Sequence, residues 1–335
     1  SKAEYTSAVG TDTIDGGAGT DKVDFNAVMN LAASQLGSIS NTETWEIEAG
    51  SEFVISDDVL TNNPGLTFSF LGSGTLSGGE DTAGAALMTE SINFTASAAG
   101  DMKLIGSSGD DTFTFSAAGT YTTADTIDGN AGTDIIYLLN NTSPGGADGT
   151  GNALTAAAST QVTFGANTKG IEKIIVTDLA ADYAGDVDIA ISDGYTDTSL
   201  EIDGSSLDVN PTDESDGEYL KVVSSDTNTA LTVTGGAGQD TITGGGAADS
   251  ISGGSAVDSL TGGGGNDTIS GGPGADVIEG GAGEDTIDGG TGDDKAVYTG
   301  RRSDYKISRF HDKVTVDDQR ISNSDGKDKL VNIEH

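Results

Sequence analysis

GGAGQDTIT-GGGAADSIS-GGSAVDSLT-GGGGNDTIS-GGPGADVIE-GGAGEDTID-GGTGDDKAV, residues 235–297, is one nine-residue pattern written seven times without a gap. Aspartate holds position six throughout, at Asp240, Asp249, Asp258, Asp267, Asp276, Asp285 and Asp294. Position eight is aliphatic, at Ile242, Ile251, Leu260, Ile269, Ile278 and Ile287, and ends on Ala296. The glycines that open the first six repeats, at Gly235, Gly244, Gly253, Gly262, Gly271 and Gly280, permit a tight turn whose carbonyls point at a common centre. The residues after the aspartate read as a short strand with the position-eight side chain inward and its neighbours outward. A flexible linker has no reason to hold Asp and Ile in register over seven repeats.

Two nonapeptides make one turn of a coil, so each loop stacks on the loop eighteen residues later. Five pairs then face one another: Asp240/Asp258, Asp249/Asp267, Asp258/Asp276, Asp267/Asp285 and Asp276/Asp294. Carboxylates and turn carbonyls are the hard oxygen ligands that Ca²⁺ takes. The stretch carries eleven acidic side chains and one lysine, a net of −10 that about five Ca²⁺ would neutralise. Without metal the stacked carboxylates repel, and one aliphatic side chain per nonapeptide is a thin core. At free Ca²⁺ about ten times Kd each site adds roughly 1.4 kcal/mol, so five add ~7 kcal/mol, comparable with the stability of a whole domain. The array is therefore expected to be unfolded without Ca²⁺. Ala247 and Ala256 replace the fourth-position glycine and mark two turns where strain is expected.

Fragments of the pattern recur outside the array. Residues 12–24 read DTIDGGAGTDKVD and residues 125–137 read DTIDGNAGTDIIY, an offset of 113. Each precedes a strand-like run built around a glutamate, NTETWEI at 41–47 and KGIEKIIV at 169–176; a third such run, LVNIEH, lies at 330–335. Asp12, Asp21, Asp111, Asp125 and Asp134 are the further metal-ligand candidates. Asp12 and Asp21 sit in adjacent units, whereas Asp111 and Asp134 become a facing pair if Ser116–Gly119 with a neighbour bulges out. The organisation expected is a first β-module over 1–115, a second over 116–234, the calcium roll over 235–297, and a basic β-cap over 298–335 that begins a further module.

Elsewhere EFVISDDVL, LTFSF, DVDIAIS, TSLEIDGSSLDV and YLKVVSS alternate apolar and polar residues between Asp/Gly/Ser turns, the period of strands. Only Asn26–Leu36 and 152–158 read as helical. The expected fold class is all-β, with solenoid- or sandwich-like modules, a parallel β-roll and a small C-terminal β-cap; Trp45 is expected in the core.

The formal net charge of −39, with 51 glycines and no cysteine among 335 residues, limits the function classes. A polyanion repels nucleic acid. Disulfides and thiolate metal sites are excluded; a secreted protein without disulfides needs another staple, for which metal is the usual alternative. No apolar run approaches the ~20 residues of a membrane span. The two histidines, His311 and His335, make no H-E-x-x-H pair, and neither G-x-S-x-G nor a phosphate-binding loop occurs, so no enzyme activity is expected. Eight of the fifteen Lys/Arg fall in 301–329, a patch suited to closing the acidic end of the roll or to docking an anion such as lipopolysaccharide.

The nonapeptides resemble the RTX family, bacterial proteins exported by type I secretion whose arrays fold in extracellular Ca²⁺. The run from GGAGTD through gIEkiiV and sLeIDgSsL to LTVTGGAGQDTITGG is similar to RTX-type surface-layer proteins, and AVYTGRRSDYKISRFHDKVTV…DGKDKLVNIEH is similar to the segment after the arrays of large adhesins. The resemblance implies the Asp240–Asp294 series as calcium ligands, and a location outside the cell, on a bacterial surface. Self-assembly with copies of the chain or adjoining modules is expected, and the basic patch makes lipopolysaccharide or surface polysaccharide a further expected partner. Ending mid-motif at His335, the chain is expected to be part of a longer protein. The leading functional expectation is a structural component of a surface layer, with a module of a large adhesin as the alternative. Position seven of the repeats is too irregular for an ice-binding face.

Overall fold

The computed structural model describes residues 2–5, 14–25, 29–32, 36, 39–78, 80–81, 85–96, 100–115, 121, 124–140, 162–178, 187–207, 219–311, 313–320 and 325–334. Its contacts divide the chain into two units, Ser1–Asn141 with Asn167–Lys173, and Thr142–Ala166 with Ile174–His335.

In the first unit the chain alternates between two parallel ladders. One runs through Lys2–Tyr5, Lys22–Phe25, Thr44–Ile47, Thr67–Phe70, Asn93–Ala96, Thr112–Phe115 and Ile135–Asn140. The other runs through Asn30–Leu31, Ser51–Ile55, Gly74–Gly78, Met102–Ile105, Thr126–Asp128 and Thr168–Lys169. Because alternate residues of a strand face the same side, the register stacks one inward column of Val23, Trp45, Phe68, Phe94, Phe113 and Ile136. Leu31, Phe53, Leu76, Leu104 and Ile127 line up opposite. The two ladders meet where Phe25, two residues after Val23 on the same strand, packs edge-on against Phe53 with centroids 5.0 Å apart. Trp45, placed in the core by its strand-like surroundings, is fully buried, with its Nε1 donating to Thr42 Oγ1 at 2.8 Å.

Two local expectations fail. EFVISDDVL is not one strand: the strand ends at Ile55 and Asp57–Asn62 is a helical turn. Asp57 and Asp58 lie in its first turn, where acidic side chains favour a helix start, and Val59 and Leu60 are buried beneath it. Asn63 secures the exit, its side chain accepting from Thr42 N–H and donating to the Ile39 and Val59 carbonyls. Within the expected helix Asn26–Leu36, Asn30–Leu31 is instead a strand paired with Glu52–Phe53, since the ladder offers Leu31 a fully buried column position. The second expected helix, 152–158, lies outside the described residues.

In the second unit Val162–Phe164, Val187–Ile191, Leu220–Ser224, Thr241–Gly245, Ser259–Gly264, Val277–Ala282 and Lys295–Ala296 form one parallel ladder. Ser199–Asp203, Ala230–Thr234, Ser250–Ser252, Thr268–Pro273, Thr286–Thr291 and Lys327–Val331 form a second, which Lys313–Asp318 and Tyr305–Phe310 extend antiparallel. Within the array every strand pairs with the one eighteen residues on, as Ile251 with Ile269 and Leu260 with Ile278. The position-eight side chains from Ile242 to Ile287 are at most 2% exposed, so the inward column expected from the pattern is present.

The aromatic column makes a prediction. Phe68→Ala should cost about 3–5 kcal/mol, the range for emptying a large core site. Denaturant unfolding followed by fluorescence of Trp45, the sole tryptophan, whose ring lies 5.5 Å from that of Phe68, checks it.

Candidate metal centre

Each array aspartate sits where the chain leaves a glycine turn to enter a strand, and the seven are 0–3% exposed. Stacking puts one carboxylate over the next backbone. Asp240 N–H donates to Asp258 Oδ1 at 2.8 Å and Asp249 N–H to Asp267 Oδ1 at 2.8 Å. Asp258, Asp267 and Asp276 donate in the same way to Asp276, Asp285 and Asp294, each at 2.9 Å. All five pairs read from the eighteen-residue spacing are therefore brought together.

The second oxygen of these groups is the informative one. Oδ2 of Asp249, Asp258, Asp267, Asp276, Asp285 and Asp294 is buried and accepts no hydrogen bond. An orphaned anionic oxygen in a dry site is costly unless a cation meets it. Beside it comes the carbonyl of the next coil's opening glycine: a Cβ built on Gly262 would lie closer than 3.0 Å to both Asp267 Oδ2 and Gly280 O. The following glycine is constrained differently, since Gly263 has φ +109° and a Cβ there would strike Gly245 O. Side chains are excluded from this space, so main-chain carbonyls line it. Among the described residues no cluster of three or more His, Cys, Asp or Glu side chains forms a metal site. The donors are thus carboxylate oxygens supplemented by carbonyls, an all-oxygen set that fits Ca²⁺. Of the two substituted turns, Ala256 carries the strain, at φ +71°, while Ala247 is not in the left-handed region.

Burial raises the carboxylate pKa values from the ordinary 3.8: to about 6 for Asp240 and Asp249, and to about 7 for Asp258 and Asp267, where the stacked neighbours add repulsion. Asp276 and Asp285 are raised for the same first reason.

The short arrays repeat this geometry. Asp111 N–H donates to Asp134 Oδ1 at 2.7 Å across a 23-residue offset, so these two do face one another. Asp134 is fully buried, its Oδ2 accepts no hydrogen bond, and burial lifts its pKa to about 7. The bulge invoked to bring them together, 116–119, lies outside the described residues, as does Asp12. Asp21 is buried. Asp125 is fully buried, but on the other ladder: its Oδ1 accepts Met102 N–H at 2.7 Å, so the residue stacked on it is not an acid.

Sequence reasoning missed how these ladders end. Glu43 Oε2 accepts Asp21 N–H at 2.6 Å, Glu172 Oε2 accepts Asp134 N–H at 2.7 Å, and Glu334 Oε2 accepts Asp294 N–H at 3.0 Å. Two residues before each glutamate stands a left-handed residue: Asn41 at φ +54°, Gly170 at +61° and Asn332 at +51°. Its carbonyl faces the opening glycine of the repeat beneath: Gly16, Gly129 and Gly289. The signal was present as the glutamate shared by NTETWEI, KGIEKIIV and LVNIEH, which reads as strand pattern until the stacking is known.

Parallel coils, an eighteen-residue register and orphaned carboxylate oxygens define a calcium-binding β-roll. The sequence profile of the RTX calcium-binding nonapeptide repeat matches four stretches of this chain, 9–27, 122–140, 232–260 and 261–296, so the chain carries RTX repeats in its short arrays as well as its long one, and these repeats bind Ca²⁺. No curated protein matches the chain. Among the described residues no helix is long and apolar enough to cross a membrane.

Two predictions follow from the ladder. Asp267→Ala removes one candidate ligand and the acceptor of Asp249 N–H together, whereas Asp293→Asn alters a side chain exposed at position five. Calorimetric titration should show fewer or weaker Ca²⁺ sites for Asp267→Ala and no change for Asp293→Asn. Raised pKa values also set a pH dependence. Between about pH 4 and pH 7 the metal-free folded roll holds protons that the unfolded chain has released, so its stability falls as pH rises through that window. In EGTA the β-signal of circular dichroism should therefore grow on acidification from pH 8 to about pH 5. In Ca²⁺ the half-saturating concentration should rise over the same change, because protons compete with the metal.

Proposed function

We propose that this chain is a calcium-rigidified structural component of a bacterial surface layer, exported by type I secretion and folded outside the cell where Ca²⁺ is abundant. The observation that carries the reading is the ladder of buried carboxylates, each with one oxygen held by a backbone N–H of the preceding coil and the other left for a cation. A chain that folds only with millimolar Ca²⁺ stays extended during export and becomes stiff on arrival. No catalytic constellation enters this reading, and the chain acts as scaffold rather than enzyme. Its acidic coils associate laterally with copies of itself through ions shared at their surfaces.

An adhesin module is the second reading, favoured by the C-terminal hairpin. Strand Tyr305–Phe310 exposes Lys306, Arg309 and Phe310, the last 77% exposed. Beside it a groove of about 460 Å³ is lined by Tyr298, Tyr305, Ile307, Val314, Val316 and Leu330. The basic patch is smaller than its residue count suggests, because Arg320 is bound to Asp318 at 2.6 Å and Asp325 at 2.8 Å. What remains suits a surface polysaccharide or lipopolysaccharide phosphate.

Electron microscopy of the purified chain in millimolar Ca²⁺ separates the two. The surface-layer reading expects ordered sheets or filaments that EGTA dissolves. A persistent monomer at high concentration sinks it and leaves the adhesin reading. Circular dichroism tests the shared premise, which fails if EGTA leaves the β-signal unchanged.

A further inference from the structure

The last repeat of the array ends at Val297, after which the chain leaves the roll for the antiparallel strands Tyr305–Phe310 and Lys313–Asp318. It then returns. Strand Lys327–Val331 pairs in parallel with Thr286–Thr291, Thr286 facing Lys329, Ile287 facing Leu330 and Asp288 facing Val331. Laid on those pairs, Asp325-Gly326-Lys327-Asp328-Lys329-Leu330-Val331 occupies positions three to nine of the nonapeptide, with glycine at four, aspartate at six and an aliphatic at eight.

The backbone agrees. Gly326 is left-handed at φ +81°, and a Cβ there would strike Gly283 O, as one on Gly283 would strike Gly265 O. Asp285 N–H donates to Asp328 Oδ1 at 3.0 Å, continuing the bond from Asp267 N–H to Asp285 Oδ1. Lys329 N–H donates to Asp285 O at 2.9 Å, as Thr286 N–H does to Asp267 O at 2.8 Å. Leu330 is 3% exposed in the inward column.

A separate observation points to a ligand. Asp328 is 1% exposed, and its Oδ2 is buried without a hydrogen-bond partner, the condition of the array's own aspartates. The buried Tyr298 hydroxyl feels the Asp328 charge but does not reach hydrogen-bond geometry with it. The profile match stops at residue 296, short of this turn.

We propose that 325–331 is a cryptic eighth repeat, entered after the hairpin, and that Asp328 with Asp285 forms a further Ca²⁺ site. The inference rests on the calcium-roll reading of the array. The hairpin is then an insertion between the seventh and eighth repeats, and the ion fastens its returning strand to the roll.

Two measurements on the full chain test this. Native mass spectrometry at saturating Ca²⁺ should count at least one ion fewer for Asp328→Asn than for the unaltered chain. Glu279→Gln, at position nine and outside the ladder, should keep the full count. An equal count in a folded Asp328→Asn overturns the proposal. If that variant does not fold, anomalous diffraction from crystals of the unaltered chain grown in Ca²⁺ decides, since an ion between residues 285 and 328 supports the site. Ions at Asp258/Asp276 and none at Asp285/Asp328 refute this site alone. Ions nowhere refute the roll itself.

Discussion

Stacked carboxylates are the constraint on which the array depends. Neighbouring parallel strands lie about 4.8 Å apart, so coil-to-coil repetition places aspartate over aspartate at that rise. From Asp249 to Asp294, one oxygen of each accepts a backbone N–H of the preceding coil; the other is buried with no partner. Like charges at that spacing, taken out of water, oppose the fold unless a divalent cation enters between them. The glycine positions follow from the same crowding. Gly262 has no room for a side chain because Asp267 Oδ2 and Gly280 O already border its Cα, and Gly263 is turned so that the carbonyls run along the stack. Ligands and turn are one feature seen twice.

The two units meet the cost of a coil differently. In the first, stacked strands are separated by irregular intervals, Val23 to Trp45 to Phe68 to Phe94 to Phe113, and the side chains in register are mostly aromatic. Large buried rings contribute enough apolar area to hold parallel strands whatever lies at the corners. In the array one Ile or Leu per nonapeptide is all the column contains, and the strand residues on either side of it are partly or wholly exposed. The array therefore relies on its corners, where the unpartnered carboxylate oxygens would meet Ca²⁺. A long insertion is tolerated in the aromatic coil and concentrated at one place in the array, the hairpin after Val297.

What was legible in the sequence was whatever repeats at fixed spacing. The Asp column, the Ile column and the eighteen-residue stacking all follow from a period of nine, and Trp45 followed from alternation. The rest depends on contacts whose separation is not fixed. Asp111 and Asp134 stack across 23 residues, Asp134 and Glu172 across 38, and Asp294 and Glu334 across 40. No period connects such residues, since loops of arbitrary length intervene. The turn at Asp57–Asn62 was hidden for another reason: Val59 and Leu60 continue a run that begins as strand, and only Ser56-Asp57-Asp58 marks the change.

The glutamates show how a ladder of this kind is ended. Every interior aspartate donates its N–H to a carboxylate one coil on, so the last one needs an acceptor after the repeats run out. A full nonapeptide would supply it five residues beyond its opening glycine. Asn41, Gly170 and Asn332 take the place of that glycine, left-handed and with the carbonyl facing the repeat beneath, but the acid follows only two residues later. A turn shortened by three residues brings the acid's own backbone against the ladder: Glu43, Glu172 and Glu334 each donate N–H to the carbonyl of the aspartate they serve, at 3.0, 3.1 and 3.1 Å. From that position the glutamate carboxylate accepts the N–H of the same aspartate, at 2.6 Å for Asp21, 2.7 Å for Asp134 and 3.0 Å for Asp294. Such an end satisfies the last hydrogen bond without another full nonapeptide turn, and the two ladders of the array differ accordingly: Asp328, reached through Gly326 at nonapeptide spacing, extends that of Asp249, Asp267 and Asp285, whereas Glu334 closes that of Asp240, Asp258, Asp276 and Asp294.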